Sequence, residues 1–316
     1  MNGISIIVCC YNSVLRLLPT LTHLAKQKTS LLFEVIVVDN ASKDETSFEA
    51  QRIWDTFNSN ITFKVVKEPQ SGLCNARNKG VKEAIYDYIV FCDDDNWLDE
   101  NYIQFAYDFL SNNPTYAAVG GLCEAVFEED IIVPDWFVEF NDAYAVGIQG
   151  KEGDITHKRL LWGAGIAFRK SIYNQVININ LPSLLSDRNG NELTSGGDNE
   201  ICIRFIILGY KLYYTNNLKL KHFISSNRLT VDYRKKLLSG FESSNEIINK
   251  YMFYLNYDSG RIFYKLKLNI KYWLQFIRIR KMTIIDKKLT SLLNDYNTDL
   301  NDECFQLIKT LVRYKN

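Results

Sequence analysis

The chain carries no excess charge of either sign: 37 Lys and Arg balance 37 Asp and Glu across 316 residues. Without a basic surplus there is no general electrostatic case for nucleic acid as a partner. Nor is there an apolar run of the roughly 20 residues that a membrane-crossing helix needs. The apolar start at residues 4–10 is short, has no basic segment before it and runs into Tyr11-Asn12, so no secretion signal is expected. The seven cysteines form no CxxC pair, which argues against a zinc site or disulfide framework and for reduced thiols in a cytoplasmic protein. There is no internal repeat, and the length suits one large domain with or without a helical appendage.

What the chain does have is Asp93-Asp94-Asp95, directly after the apolar run Tyr88-Ile89-Val90-Phe91-Cys92. Three adjacent carboxylates at a strand end repel one another, and a hard divalent ion bound through oxygen relieves that repulsion. Such an ion usually accompanies phosphates. The alternative is a solvated acidic turn ahead of a helix at residue 101, with Asp99 as its N-cap.

Continuous apolar segments at residues 4–10 and 33–39 predict parallel strands covered on both faces. Val14, Leu15, Leu17, Leu18, Leu21 and Leu24 predict a helical face between them. Strands at 62–66, 88–92 and 116–121 alternate with helices at 75–84 and 101–110, an order that implies a parallel sheet with right-handed crossovers. Ligands of such sheets bind beyond the carboxyl ends of the strands, where Asp39 and Asp93 each close a strand. Beyond about residue 125 the pattern becomes irregular, as in loops around a second site. Residues 160–168 predict a strand whose glycines admit a close neighbour, and 198–208 a helix with Ile201, Phe205 and Leu208 on one face. From about residue 230 the chain reads as helical, and 261–281 interleave basic and aromatic residues without an acid. That stretch suits docking on anionic lipid or packing against protein.

Several segments together resemble glycosyltransferase family 2, the inverting enzymes of GT-A fold that use nucleotide-diphosphate sugars. They are the opening Ile4-Ser5-Ile6-Ile7-Val8-Cys9-Cys10-Tyr11-Asn12-Ser13 and the second strand with its turn, Glu34-Val35-Ile36-Val37-Val38-Asp39-Asn40-Ala41-Ser42. Gly72-Leu73-Cys74-Asn75-Ala76-Arg77-Asn78-Lys79-Gly80, the Asp triplet and Ser195-Gly196-Gly197-Asp198-Asn199-Glu200-Ile201-Cys202-Ile203-Arg204 follow in the family's order. The resemblance covers residues 4–230 and implies a Rossmann-like, mainly parallel central sheet flanked by helices, with a helical C-terminal extension. It implies a catalytic domain at 1–230, divided into a nucleotide-binding half at 1–124 and an acceptor-binding half at 125–230, and an extension at 231–316.

By the same resemblance Asp198 is the general base, and Asp95 holds Mn²⁺ or Mg²⁺ with His222 completing the metal site. Cys10, Tyr11, Asn12, Asp39, Arg77, Asp93 and Asp94 contact the nucleotide sugar, and Trp162 and Gly163 the acceptor. The implied donor is a UDP-hexose. The implied acceptor is a saccharide or a lipid-linked saccharide on the cytoplasmic face of the membrane, with peripheral contact through 261–281. One departure stands out: the family commonly has Glu directly before its catalytic Asp, where this chain has Gly197.

Structural readings stay open beside these. Asp39 also suits an Asx turn, Arg77 a surface helix, Trp162 the core, and His222 a packing role. Ser195 to Asp198 also fit a capping box. Two further functions remain: a sugar nucleotidyltransferase, disfavoured because no glycine-rich basic loop follows the first strand, and a nucleotide-sugar-binding protein that has lost catalysis.

Overall fold

The computed structural model describes residues 3–258 except 186 and 189–193, together with 307, 310 and 311. The chain divides into two compact units, residues 1–244 and 245–316. In order, the first unit contains β1 (Gly3–Cys10), α1 (Leu17–Ala25), β2 (Leu32–Asn40), α2 (Thr46–Thr56), β3 (Thr62–Glu68), α3 (Leu73–Glu83), β4 (Tyr88–Asp93) and β5 (Asn96–Leu98). It continues with α4 (Tyr102–Asn112), β6 (Tyr116–Phe127), α5 (Phe137–Phe140), β7 (Gly153–Asp154), β8 (Ala167–Arg169), α6 (Lys170–Val176), α7 (Gly197–Ile207) and β9 (Lys211–Ile224). Helix α8 (Val231–Asp258) starts in the first unit and runs into the second.

The described strands form one sheet in the order β3-β2-β1-β4-β8-β6-β9-β5, with β7 paired to β9. Strands β3, β2, β1 and β4 are parallel, and the apolar runs of β1, β2 and β4 suit strands covered on both faces, whereas β3 at the edge is only partly buried; every residue of β1 is buried. Beyond β4 the sheet is mixed rather than parallel, because β8 enters antiparallel to both β4 and β6 and separates them. Strand β6 runs unbroken through residues 124 and 125, and β9 returns to pair with both β6 and β5.

Helix α1 buries Leu17, Leu21 and Leu24, each contributing about 1.5–3 kcal/mol of hydrophobic stabilisation. Leu15 and Leu18 are exposed instead, Leu15 because it precedes the helix and Leu18 because it points 100° away from Leu17. Helix α2 carries no apolar stripe that the sequence reveals; it holds to β2 and β3 through Ala50, Ile53 and Trp54, with Trp54 stacked on Phe63. The strand expected over 160–168 is confined to Ala167–Arg169, since the preceding backbone turns to meet side chains of α3 and α7. Helix α7 is buried on nearly all sides rather than on one face. Its N-cap is Gly196 with no side-chain capping bond, and Ser195 Oγ has no partner among the described residues, which removes the capping-box reading. The described cysteines are all free.

Candidate active site

Strand register assembles the site. Cys10 pairs with Asp39 on one side of β1, and Cys9 with Asp93 on the other, so two acids flank the end of β1 at the carboxyl edge. Antiparallel pairing of β5 with β9 sets His222 opposite Asn96, one residue from Asp95. A cleft of about 770 Å³ opens at this edge, ample for a nucleotide sugar, and both Asp95 and Asp198 line it.

The three acids of the triplet have separate environments, and none is a solvated turn. Asp94 is buried, accepts from Ser13 Oγ, and meets Arg16 Nη2 at 2.6 Å, while Thr20 Oγ1 donates to its carbonyl at 2.8 Å. It therefore ties the turn after β1 to the triplet. Burial and neighbouring Asp95 raise its carboxyl, and Arg16 and Ser13 pull it back only in part. Asp95 meets Arg228 Nη1 at 2.9 Å and His222 Nε2 at 3.5 Å. Burial works to raise its carboxyl, but His222 and Arg228 outweigh it and hold the group well below the ordinary carboxylate range. Asp93 is raised by burial and by Asp95, against the attraction of Arg77.

An acid raised on folding binds its proton more tightly in the folded state, so its cost to stability is absent in acid and grows as pH rises through the folded value. Asp93→Asn is expected to raise the melting temperature by about 2–4 °C at pH 8, where the cost of burying the charge beside Asp95, on the order of 1 kcal/mol, is relieved, and by almost nothing at about pH 4. Thermal denaturation across that range checks it; an equal shift at both ends would contradict the sign.

Among the described residues no three His, Cys, Asp or Glu side chains are grouped as a metal site. Two donors do face each other, Asp95 Oδ2 and His222 Nε2, and Arg228 Nη1 lies 3.1 Å from the imidazole nitrogen as well as 2.9 Å from the carboxylate. The Arg228 guanidinium thus touches both. Asp95 and His222 are the residues that would hold Mg²⁺ or Mn²⁺ if Arg228 turned away, since at phosphate sites protein supplies one or two ligands to such ions and phosphate and water the rest.

On the other wall, Gly163 N–H donates to Asp198 Oδ2 at 2.7 Å. A Cβ at Gly163 would collide with the Arg77 guanidinium and lie 3.1 Å from Asp198 Oδ2, so this glycine makes room for both side chains. Arg77 is 4% exposed, its Nη1 donates to Asp187 Oδ2 at 3.2 Å, and it lies over the Phe91 ring. Burial would lower its basicity, but Asp187, Asp198 and Asp93 raise it, so it stays charged. Burial and Asp198 push the Asp187 carboxyl up, against Arg77 and the Gly197 N–H. Burial also pushes Cys9 up to about 12 and Cys10 well above its ordinary value, so neither cleft thiol is a nucleophile.

The remaining expected residues fall in two groups. Cys10, Tyr11 and Trp162 line the cleft, and Trp162 N–H donates to Gln149 Oε1 at 2.7 Å. Asn12 and Asp39 organise turns: Asn12 Oδ1 accepts from Lys43 N–H at 2.8 Å, and Asp39 accepts from Ser42 N–H at 3.2 Å and from Ser47 Oγ. The segment 261–281 lies outside the described residues. Sequence reasoning missed Arg16, Asp187 and Arg228, which sit in no motif; the three form ion pairs with Asp94, Arg77 and Asp95 respectively.

The sequence model of glycosyl transferase family 2 matches residues 5–176, a span holding most of β1, Asp39, Arg77, the Asp triplet and Trp162. The chain belongs to glycosyl transferase family 2. It is 32% identical over 122 residues to the poly-β-1,6-N-acetyl-D-glucosamine synthase of Staphylococcus epidermidis, and 32% over 122 residues to the chondroitin synthase of Escherichia coli. Each match takes in 38% of this chain but only 28% and 17% of the relatives' own lengths. Among solved structures it is similar to S. aureus TarS 1–349 in complex with UDP, with 18% identity, a TM-score of 0.49, and coverage of 78% of this chain and 69% of that one.

Proposed function

We propose that the protein transfers a hexose, with inversion, from a UDP-sugar to a saccharide or lipid-linked saccharide acceptor in surface-polysaccharide synthesis. The observation that carries this reading is the convergence of two opposed acid sites in one cleft: Asp95 with Arg228 and His222 on one wall, Asp198 on the Gly163 N–H on the other. The two curated relatives are named for polysaccharide synthesis, which supports the polymer class.

In this reading Asp198 takes the proton of the acceptor hydroxyl as that oxygen attacks the anomeric carbon from the face opposite the diphosphate. A single displacement inverts the configuration, consistent with cleft thiols that are not nucleophiles. Arg228 turns from Asp95 to the departing diphosphate, and a guanidinium suits its paired oxygens. Mn²⁺ or Mg²⁺, held by Asp95 and His222, would offset the charge developing on the leaving group. Arg77 lines the cleft as well but is already paired with Asp187, so in this reading Arg228 shares the phosphate contact expected of Arg77. Asp39 retains lone-pair capacity for the base imide beside Ser42 and Ser47. Residues 1–230 act as the catalytic domain and 231–316 as its extension, with 261–281 bringing the enzyme to the inner membrane face. No described helix is long and apolar enough to cross a membrane.

A thermal-shift screen of nucleotide sugars with Mn²⁺ tests the donor. A UDP-hexose at about 100 times its Kd is expected to add about 2.7 kcal/mol of apparent stability. Pyrophosphate release from a sugar phosphate and a nucleoside triphosphate, with no response to UDP-sugars, would instead favour nucleotidyl transfer.

A further inference from the structure

Gly197 leaves the candidate base without the acidic neighbour that the resemblance leads one to expect, and the structure shows what fills the space. The Asp187 carboxylate, from a segment ten residues upstream, lies against the Gly197 backbone. Gly197 N–H donates to Asp187 Oδ1 at 2.7 Å, and Arg77 Nη1 donates to Oδ2 at 3.2 Å. A Cβ at position 197 would collide with this carboxylate. Glycine at 197 and aspartate at 187 are therefore one arrangement, since any side chain at 197 must displace the acid.

Two routes lead from Asp187 to the base. One is the backbone: Gly197 opens α7, and Asp198 is its next residue, so the bond to Gly197 N–H fixes the first turn of the helix. The other is Arg77, whose guanidinium packs into the space left open at Gly163, the residue whose N–H holds Asp198 Oδ2. The Asp187 side chain is only 4% exposed and both of its oxygens are engaged, so it acts through these neighbours rather than on substrate. The segment is also tied to α3, since Leu73 N–H donates to the Arg188 carbonyl at 3.0 Å.

We propose that Asp187 is a positioning residue for the transfer reaction, supplying from a separate segment the carboxylate that position 197 lacks and orienting Arg77 and the start of α7 so that Asp198 faces the acceptor. The proposal rests on the transferase reading above. Misplacing a reacting group by about 1 Å costs on the order of 10²-fold in rate. Asp187→Asn is expected to lower kcat by about that factor while UDP affinity, set on the Asp95 wall, stays within about twofold. In the full chain, Asp187→Gly combined with Gly197→Glu is expected to recover at least about tenfold of the kcat lost in Asp187→Gly alone.

A second readout needs no activity. Gly197→Ala is expected to lower the melting temperature in the wild-type background and to be tolerated in Asp187→Gly, because the collision partner is gone. Additive melting-temperature changes would show that the two positions share no space and would overturn the arrangement. Unchanged kcat in Asp187→Asn, or equal losses of kcat and UDP affinity, would overturn the positioning role. Should Asp187→Asn fail to fold, recovery of folded, active protein by the paired exchange supports the proposal and absence of recovery refutes it. If the wild type transfers no sugar, the transferase reading fails on its own, and the melting-temperature coupling still tests the arrangement.

Discussion

Asp198→Asn is expected to lower kcat by about 10²–10⁴-fold, the range lost with a positioned general base, while UDP binding is retained. The separation follows from the geometry. Asp198 accepts from Gly163 N–H through Oδ2, and an asparagine carbonyl accepts the same bond, so the wall of the cleft keeps its shape. Arg77 loses one of three acidic neighbours but keeps Asp187 as its ion-pair partner. What disappears is the capacity to take a proton. Steady-state kinetics with a saturating acceptor, beside calorimetric titration of UDP, measure both halves. Full transfer by the variant would remove Asp198 from the base role, and a parallel collapse of UDP affinity would recast it as structural.

Asp95→Ala carries the second large effect, on stability and donor binding together. Its carboxylate is the ion-pair partner of Arg228 and faces His222, and the three side chains are nearly buried. Removing one member of a buried pair leaves the other charge uncompensated, at about 3–5 kcal/mol. Arg228 also lies over the Tyr144 and Tyr233 rings, 6.0 and 5.7 Å from their centroids, but contacts at that distance offset only a small part of the loss. Urea denaturation is expected to show the deficit. UDP affinity is expected to lose its dependence on Mn²⁺, so that chelation weakens binding in the wild type and changes nothing in the variant. Binding that is Mn²⁺-dependent and undiminished in Asp95→Ala would place the ion elsewhere.

Much of the framework on the β1–β4 side is legible in the sequence. Runs such as Ile4-Ser5-Ile6-Ile7-Val8 and Val35-Ile36-Val37-Val38 are apolar or small on both faces and rich in β-branched residues, as strands buried on both sides are, and β1 and β2 are those strands. The parallel order then places Asp39 and Asp93 at one edge. Helix α2 escaped because its buried residues are few and set among polar ones, and the segment 160–168 misled because its apolar composition serves a loop wrapped around charged side chains.

The sequence by itself determined the parallel half of the sheet and the edge on which acids gather, because period and burial are local properties of the chain. Tertiary structure alone decided what each acid does. Arg228 and Asp95 lie 133 residues apart and meet because β9 pairs with β5 in one register; a slip of one residue would turn His222 to the opposite face. Asp187 reaches Gly197 through a close approach that no motif encodes, and Asp94 is turned to Ser13 and Arg16 rather than to the cleft ion pair of its neighbour. Charge pairing between distant segments depends on register and packing, and neither is written in the residues next to the charge.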